Sequence, residues 1–137
     1  MNLQEVDPLT WVRANAGKFF PDGRVDPVYL VAYLMADVLE LSVGDCTIRR
    51  RDGWWIVGST VDWLEGAGFP PAELFRRVVA TPGRGEHSMR GEVVVAAFAL
   101  SVWTALGGSL TAVQGDEPPP GVWGNTKGLR RVIVYKV

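Results

Sequence analysis

The chain has 137 residues, 47% of them hydrophobic and 21% charged, which fits one globular domain over 1–137 and excludes a wholly disordered chain. Lys and Arg number 14 against 15 Asp and Glu, so the net charge of −1 supplies no bulk attraction for nucleic acid or a membrane surface. One cysteine, Cys46, and one histidine, His87, exclude an internal disulfide, a cysteine-based zinc site and a His–His metal pair.

Residues 1–10 are polar and carry Glu5 and Asp7, without the basic start and apolar run of a secretion signal. Asp7-Pro8 then joins a capping side chain to a proline at the first helical position. Leu9, Val12 and Ala16 follow at helical spacing, which predicts a first helix ending near Gly17. Asp26-Pro27 repeats the start signal. Val28, Val31, Leu34, Met35, Val38 and Leu39 form the stripe of a second, buried helix that ends before Gly44. Asp37 interrupts this stripe and, with Glu40, is expected on a solvated helix edge.

Two strand-like runs, 46–51 and 54–59, flank Asp52-Gly53, the two-residue turn signal of a β-hairpin. Ser59 and Asp62 have the spacing of a capping box, predicting a short helix over 61–65. Pro70-Pro71 opens another over 72–78. Thr81 to Glu86 form a glycine-rich loop, and Ser88 is placed to cap a long helix over 89–105 that Gly107-Gly108 stops. Residues 109–114 read as a strand. Pro118-Pro119-Pro120 stiffens the loop that follows. Residues 131–137 form a last strand, apolar on both faces and therefore central in its sheet.

This order predicts an α+β domain: a largely antiparallel sheet of about four strands with helices packed on one side. The longest apolar run, 93–106, has about 14 residues against the roughly 20 a bilayer span needs. A cytoplasmic protein without a membrane partner is expected, and the lone thiol suits a reducing compartment.

Two surfaces carry candidate sites. Strand alternation puts Thr47, Arg49, Arg51, Trp54 and Ile56 on one hairpin face and Cys46, Ile48, Trp55 and Val57 on the other, which reads as core. Tryptophan and arginine are enriched at interface hot spots, so Arg49, Arg51, Trp54 and Ile56 form the candidate partner-binding face. The competing reading is an arginine lying over Trp54 as a cation–π cover. The alternative site is the run from Gly83 to Arg90, where Gly83, Arg84, Gly85, His87, Ser88 and Arg90 precede a predicted helix N-terminus that would favour an anion such as phosphate. It lacks the third glycine of a dinucleotide fingerprint and the Gly-Lys-Ser/Thr of a P-loop. Its bland reading is a capping surface loop.

No nucleophile, base and orienting group select themselves. Glu86 with His87, or Glu92 one turn on, is the nearest approach to an acid–base pair, and Cys46 reads as inert packing. No catalytic residue, metal ligand or cofactor is assigned. Arg49-Arg50-Arg51 beside Trp54-Trp55 has the ingredients of an RNA platform, but alternation sends Arg50 to the opposite face.

The segments 52–64 (DGWWIVGSTVDWL) and 88–106 (SMRGEVVVAAFALSVWTAL) give the chain a profile similar to immunity proteins of bacterial polymorphic-toxin systems. That resemblance implies a small α+β protein that binds and occludes a partner protein. It assigns no individual residue. An anion-binding domain or small enzyme at 83–90, and an oligomerising subunit, are the other readings.

Overall fold

The computed structural model describes residues 7–41, 44–79 and 89–137. In chain order these form α1 (Pro8–Ala14), a 3-10 turn (Ala16–Lys18), α2 (Pro27–Leu41), β1 (Thr47–Arg51), β2 (Trp54–Ser59), α3 (Pro71–Leu74), α4 (Glu92–Phe98), β3 (Ser101–Leu106), β4 (Ser109–Gln114), α5 (Pro120–Gly124) and β5 (Arg131–Lys136). The five strands make one antiparallel sheet in the order β1-β2-β5-β3-β4. The α+β class holds. No helix among the described residues is long and apolar enough to cross a membrane.

Local chemistry explains the first half. The Asp7 carboxylate accepts from the Thr10 N–H at 3.0 Å and caps α1, while Asp26 accepts from the Val28 N–H at 2.9 Å at the start of α2. Asp52 and Gly53 both take positive φ (52° and 82°), the backbone a type I′ turn demands. The predicted register follows: Arg51 faces Trp54, Arg50 faces Trp55 and Arg49 faces Ile56.

The second half departs from expectation at 89–105. The helix stops at Phe98, and residues 101–106 form β3. Distant groups end it. Arg13 Nε of α1 donates to the Ala97 carbonyl at 2.7 Å, and Gln114 Nε2 of β4 donates to the Ala96 and Ala99 carbonyls at 2.8 Å. These side chains satisfy carbonyls that the helix end leaves without intrahelical donors. Gly107 and Gly108, read as a helix stop, are the two-residue turn of a second hairpin, with φ of 55° and 94°. That added hairpin strand raises the count from about four to five.

Two short helices also change. Residues 61–65 form turns. Ser59 remains in β2 with its Oγ accepting from the Val61 N–H, and Asp62 is drawn to Arg131 by bonds of 2.8 and 3.1 Å. The helix expected over 72–78 is the single turn α3. The proline-rich loop, expected to be extended, turns into α5 at Pro120.

Both faces of β5 are buried, as its pattern requires. On one face, Val57, Ile133, Tyr135 and Val102 meet Leu30, Leu34 and Val38 of α2 and Val94 and Val95 of α4. On the other, Trp54, Ile56, Ala105, Val132 and Val134 meet Val122 of α5. The helices before β3 thus share one side, and α5 covers part of the other. The α2–α4 packing is close: a Cβ on Gly91 would stand 2.8 Å from the Tyr33 backbone, so only glycine fits there.

Candidate functional site

The hairpin face read as partner-binding is covered by the chain itself. Trp54 is 4% exposed and Ile56 is fully buried against α5. Arg49 Nη1 donates to the Asn125 and Lys127 carbonyls at 2.7 and 3.0 Å, pinning the segment after α5 to β1. The Arg51 guanidinium lies against Gly121 and pairs with Asp52 at 3.3 Å. Trp54 and Ile56 are therefore core. Their alternation is as expected, but a sheet with two buried faces has no outer face at this strand. The cation–π cover also differs: Arg50 sits 4.6 Å from the Trp55 ring centroid on the opposite face, where these two residues pair across the strands.

Of the alternative anion-site residues, Gly83, Arg84, Gly85, His87 and Ser88 lie outside the described residues. Arg90 is described and is turned inward. Its guanidinium pairs with Glu92 at 2.6 and 3.1 Å and donates to the Trp63 carbonyl at 3.3 Å. Both partners are buried, so this arginine neutralises a carboxylate of its own chain.

Asp37 completes the cluster. It is buried at the α2–α4 contact, not solvated, and accepts a hydrogen bond from the Gly91 N–H. The Glu92 carboxylate lies beside it. Burial first, and then the adjacent Glu92 charge, push Asp37 up to about 8, against the opposing pull of the Gly91 N–H and Arg90. The break that Asp37 makes in an apolar stripe was the visible signal; its partner, 55 residues on, was not. A second buried pair, Asp62–Arg131, behaves in the ordinary way. Burial opposes the charge on Asp62, but the hydrogen bond and charge of Arg131 hold its carboxyl below the usual range. Among the described residues no group of three or more His, Cys, Asp or Glu is arranged to hold a metal.

An open concavity lies elsewhere, on the sheet face that α5 only partly covers. It is a groove of about 480 Å³ between the β3–β4 turn and the segment 117–130. The buried Ala105, Pro118 and Val132 lie at its base, Leu110, Leu129 and Trp123 line it, and Pro120 is exposed on one side. Glu117 and Arg130 are exposed at the margin. Trp123 is held edge-on to Trp103, with ring centroids 6.5 Å apart. Leu110 is 43% exposed, an apolar side chain left facing solvent. Sequence reading did not anticipate the groove, because residues 105–132 come together only once β3 and β5 pair.

No protein-family model, curated protein or solved structure matches the chain.

Proposed function

We propose that the protein is a binding module that acts by occupying part of a partner protein, in the manner of immunity or inhibitor proteins, and that the contact runs through the groove rather than the hairpin face. The observation that carries this reading is the groove itself: about 480 Å³, lined mostly by apolar side chains, with an aromatic wall and few charges at its rim. Such concavities accept an apolar anchor from a partner, and buried aromatic contacts of this kind supply most of the free energy at an interface. The rim is stiff, with Pro120 on one side and a tight glycine turn on the other, so little ordering entropy opposes docking. The lone thiol, Cys46, accords with a cytoplasmic setting.

Affinity capture from the native lysate tests the reading, with wild type and Leu110→Glu compared. Leu110 lies at the exposed margin, so the variant keeps its fold while placing a carboxylate in the groove. One stoichiometric protein, held by wild type and lost at least about tenfold in the variant, is expected. Equal capture by both moves the interface off the groove. No captured protein turns the reading toward a small apolar ligand, for which the volume also suffices.

A further inference from the structure

The sheet ends in two edges, and they differ. The outer edge of β4 is partly occupied: α3 packs against it, and Arg76 Nη2 donates to the Val113 carbonyl at 3.3 Å. Among the described residues β1 pairs only with β2. In a hairpin closed by a two-residue turn, Arg51 and Trp54 form the hydrogen-bonded pair nearest the turn, and such pairs alternate along the ladder. Ile48 and Arg50 therefore direct their N–H and C=O groups outward, where no other strand of the described residues meets them.

Edges are commonly blocked by charged side chains that project past them. The β1 arginines do not act in this way. Arg49 bends over one face to the Asn125 and Lys127 carbonyls, Arg51 lies on Gly121 of that same face, and Arg50 lies on Trp55 of the other. These side chains leave the outward main-chain groups clear and frame them with positive charge. Lys127 follows directly on the Arg49 contact, and Lys136 reaches the turn at Gly53. Asp52 is the acidic side chain of the turn. On the face that α2 packs against, Ile48 is 41% exposed. Val28, Met35 and Leu39, on the flank of α2 turned away from α4, are exposed as well.

We propose that β1 is a docking strand for an extended acidic segment of a partner protein, which adds to the sheet as a sixth strand. The segment alternates. Its acidic residues lie beside Arg49 and Arg51, and its apolar residues lie on the Ile48 face. Main-chain hydrogen bonds to Ile48 and Arg50 supply the pairing, and the arginines supply the selection. A second copy of this chain is a poor occupant. Antiparallel β1–β1 pairing centred on Arg49 sets Arg49 opposite Arg49 and crowds the flanking arginines, and like charges directly opposite destabilise a ladder. This surface is the outer edge of β1, whereas the groove opens beside the β3–β4 turn at the other end of the strand order.

The test uses a fluorescein-labelled nine-residue peptide alternating valine and glutamate, a second with lysine in place of glutamate, and the whole protein. Fluorescence anisotropy is expected to show the glutamate peptide binding at least about tenfold more tightly than the lysine peptide at low salt, with the preference shrinking as salt rises. Arg51→Gln is expected to weaken it about threefold or more, and Leu110→Glu to leave it unchanged. Amide exchange at Ile48 and Arg50 is expected to slow at least about tenfold on saturation, with no change at Leu110 or Thr111. Equal binding of both peptides, or protection at β4 in place of β1, overturns the proposal. So does protection at Ile48 and Arg50 that rises with protein concentration in the absence of peptide, since that assigns the edge to a second copy.

Discussion

On one face of the sheet, α1, α2 and α4 lay Leu30, Leu34, Val94 and Val95 over Val57, Ile133 and Tyr135, and the layer also encloses the Arg90–Glu92–Asp37 cluster. On the other face, among the described residues, the strands meet the segment 117–130, whose buried residues are Pro118 and Val122, with Trp123 and Leu129 partly buried beside Val122. The first face is thick enough to bury charges and must pair them. The second is a thin cover that buries Trp54 and Ile56 but leaves a groove beside it. Burial is thus concentrated under the helices, and the open groove lies on the thin side.

The largest expected effect comes from the thick face. Arg90→Ala leaves two buried carboxyls without their cation, and a loss of about 3–5 kcal/mol is expected from urea unfolding. A loss below about 1 kcal/mol would mean that water reaches the cluster. On the thin face, Ile56→Ala should cost about 2–5 kcal/mol, the cost of a cavity in a packed core. A near-neutral result would return Ile56 to the surface and remove the difference between the faces.

The Asp37 carboxyl gives the faces different pH behaviour. Its folded value, about 8, lies above the ordinary 3.8, so the folded state holds a proton that the unfolded chain has released. The resulting stability is fully present below about pH 4 and is lost as pH rises through about 8, with a slope of at most about 1.4 kcal/mol per pH unit. Asp37→Asn should flatten that decline in unfolding experiments between pH 5 and 9. A wild-type profile already flat over this range would show that the folded state holds no extra proton on Asp37. The smallest effect on stability belongs to Leu110→Ala, expected within about 0.5 kcal/mol of wild type by thermal unfolding. A larger loss would make the groove wall part of the core.

Legibility in the sequence followed the range of the interactions. The β1–β2 hairpin could be read to the residue because Asp52-Gly53 specifies its turn, and the turn sets the register. The β3–β4 hairpin carried the same kind of signal in Gly107-Gly108, but the apolar run before it fitted a helix as readily as a strand. For the candidate site, the composition of the hairpin face was legible and its exposure was not. Arg49, Arg51, Trp54 and Ile56 do share a face, and the segment 119–127 then closes over it.

By itself the sequence determined what nearest neighbours decide: the capped starts of α1 and α2, the first hairpin and its register, and the doubly apolar final strand. Tertiary structure decided the rest. Arg13 and Gln114 reach across the fold to end α4 at Phe98, and Glu92 captures Arg90 and Asp37. Arg49 ties down the cover that makes one face of the hairpin core. Each of these depends on polar groups far apart in sequence finding partners as water leaves. A local pattern carries no record of such a pairing, because its free energy exists only after the chain has closed.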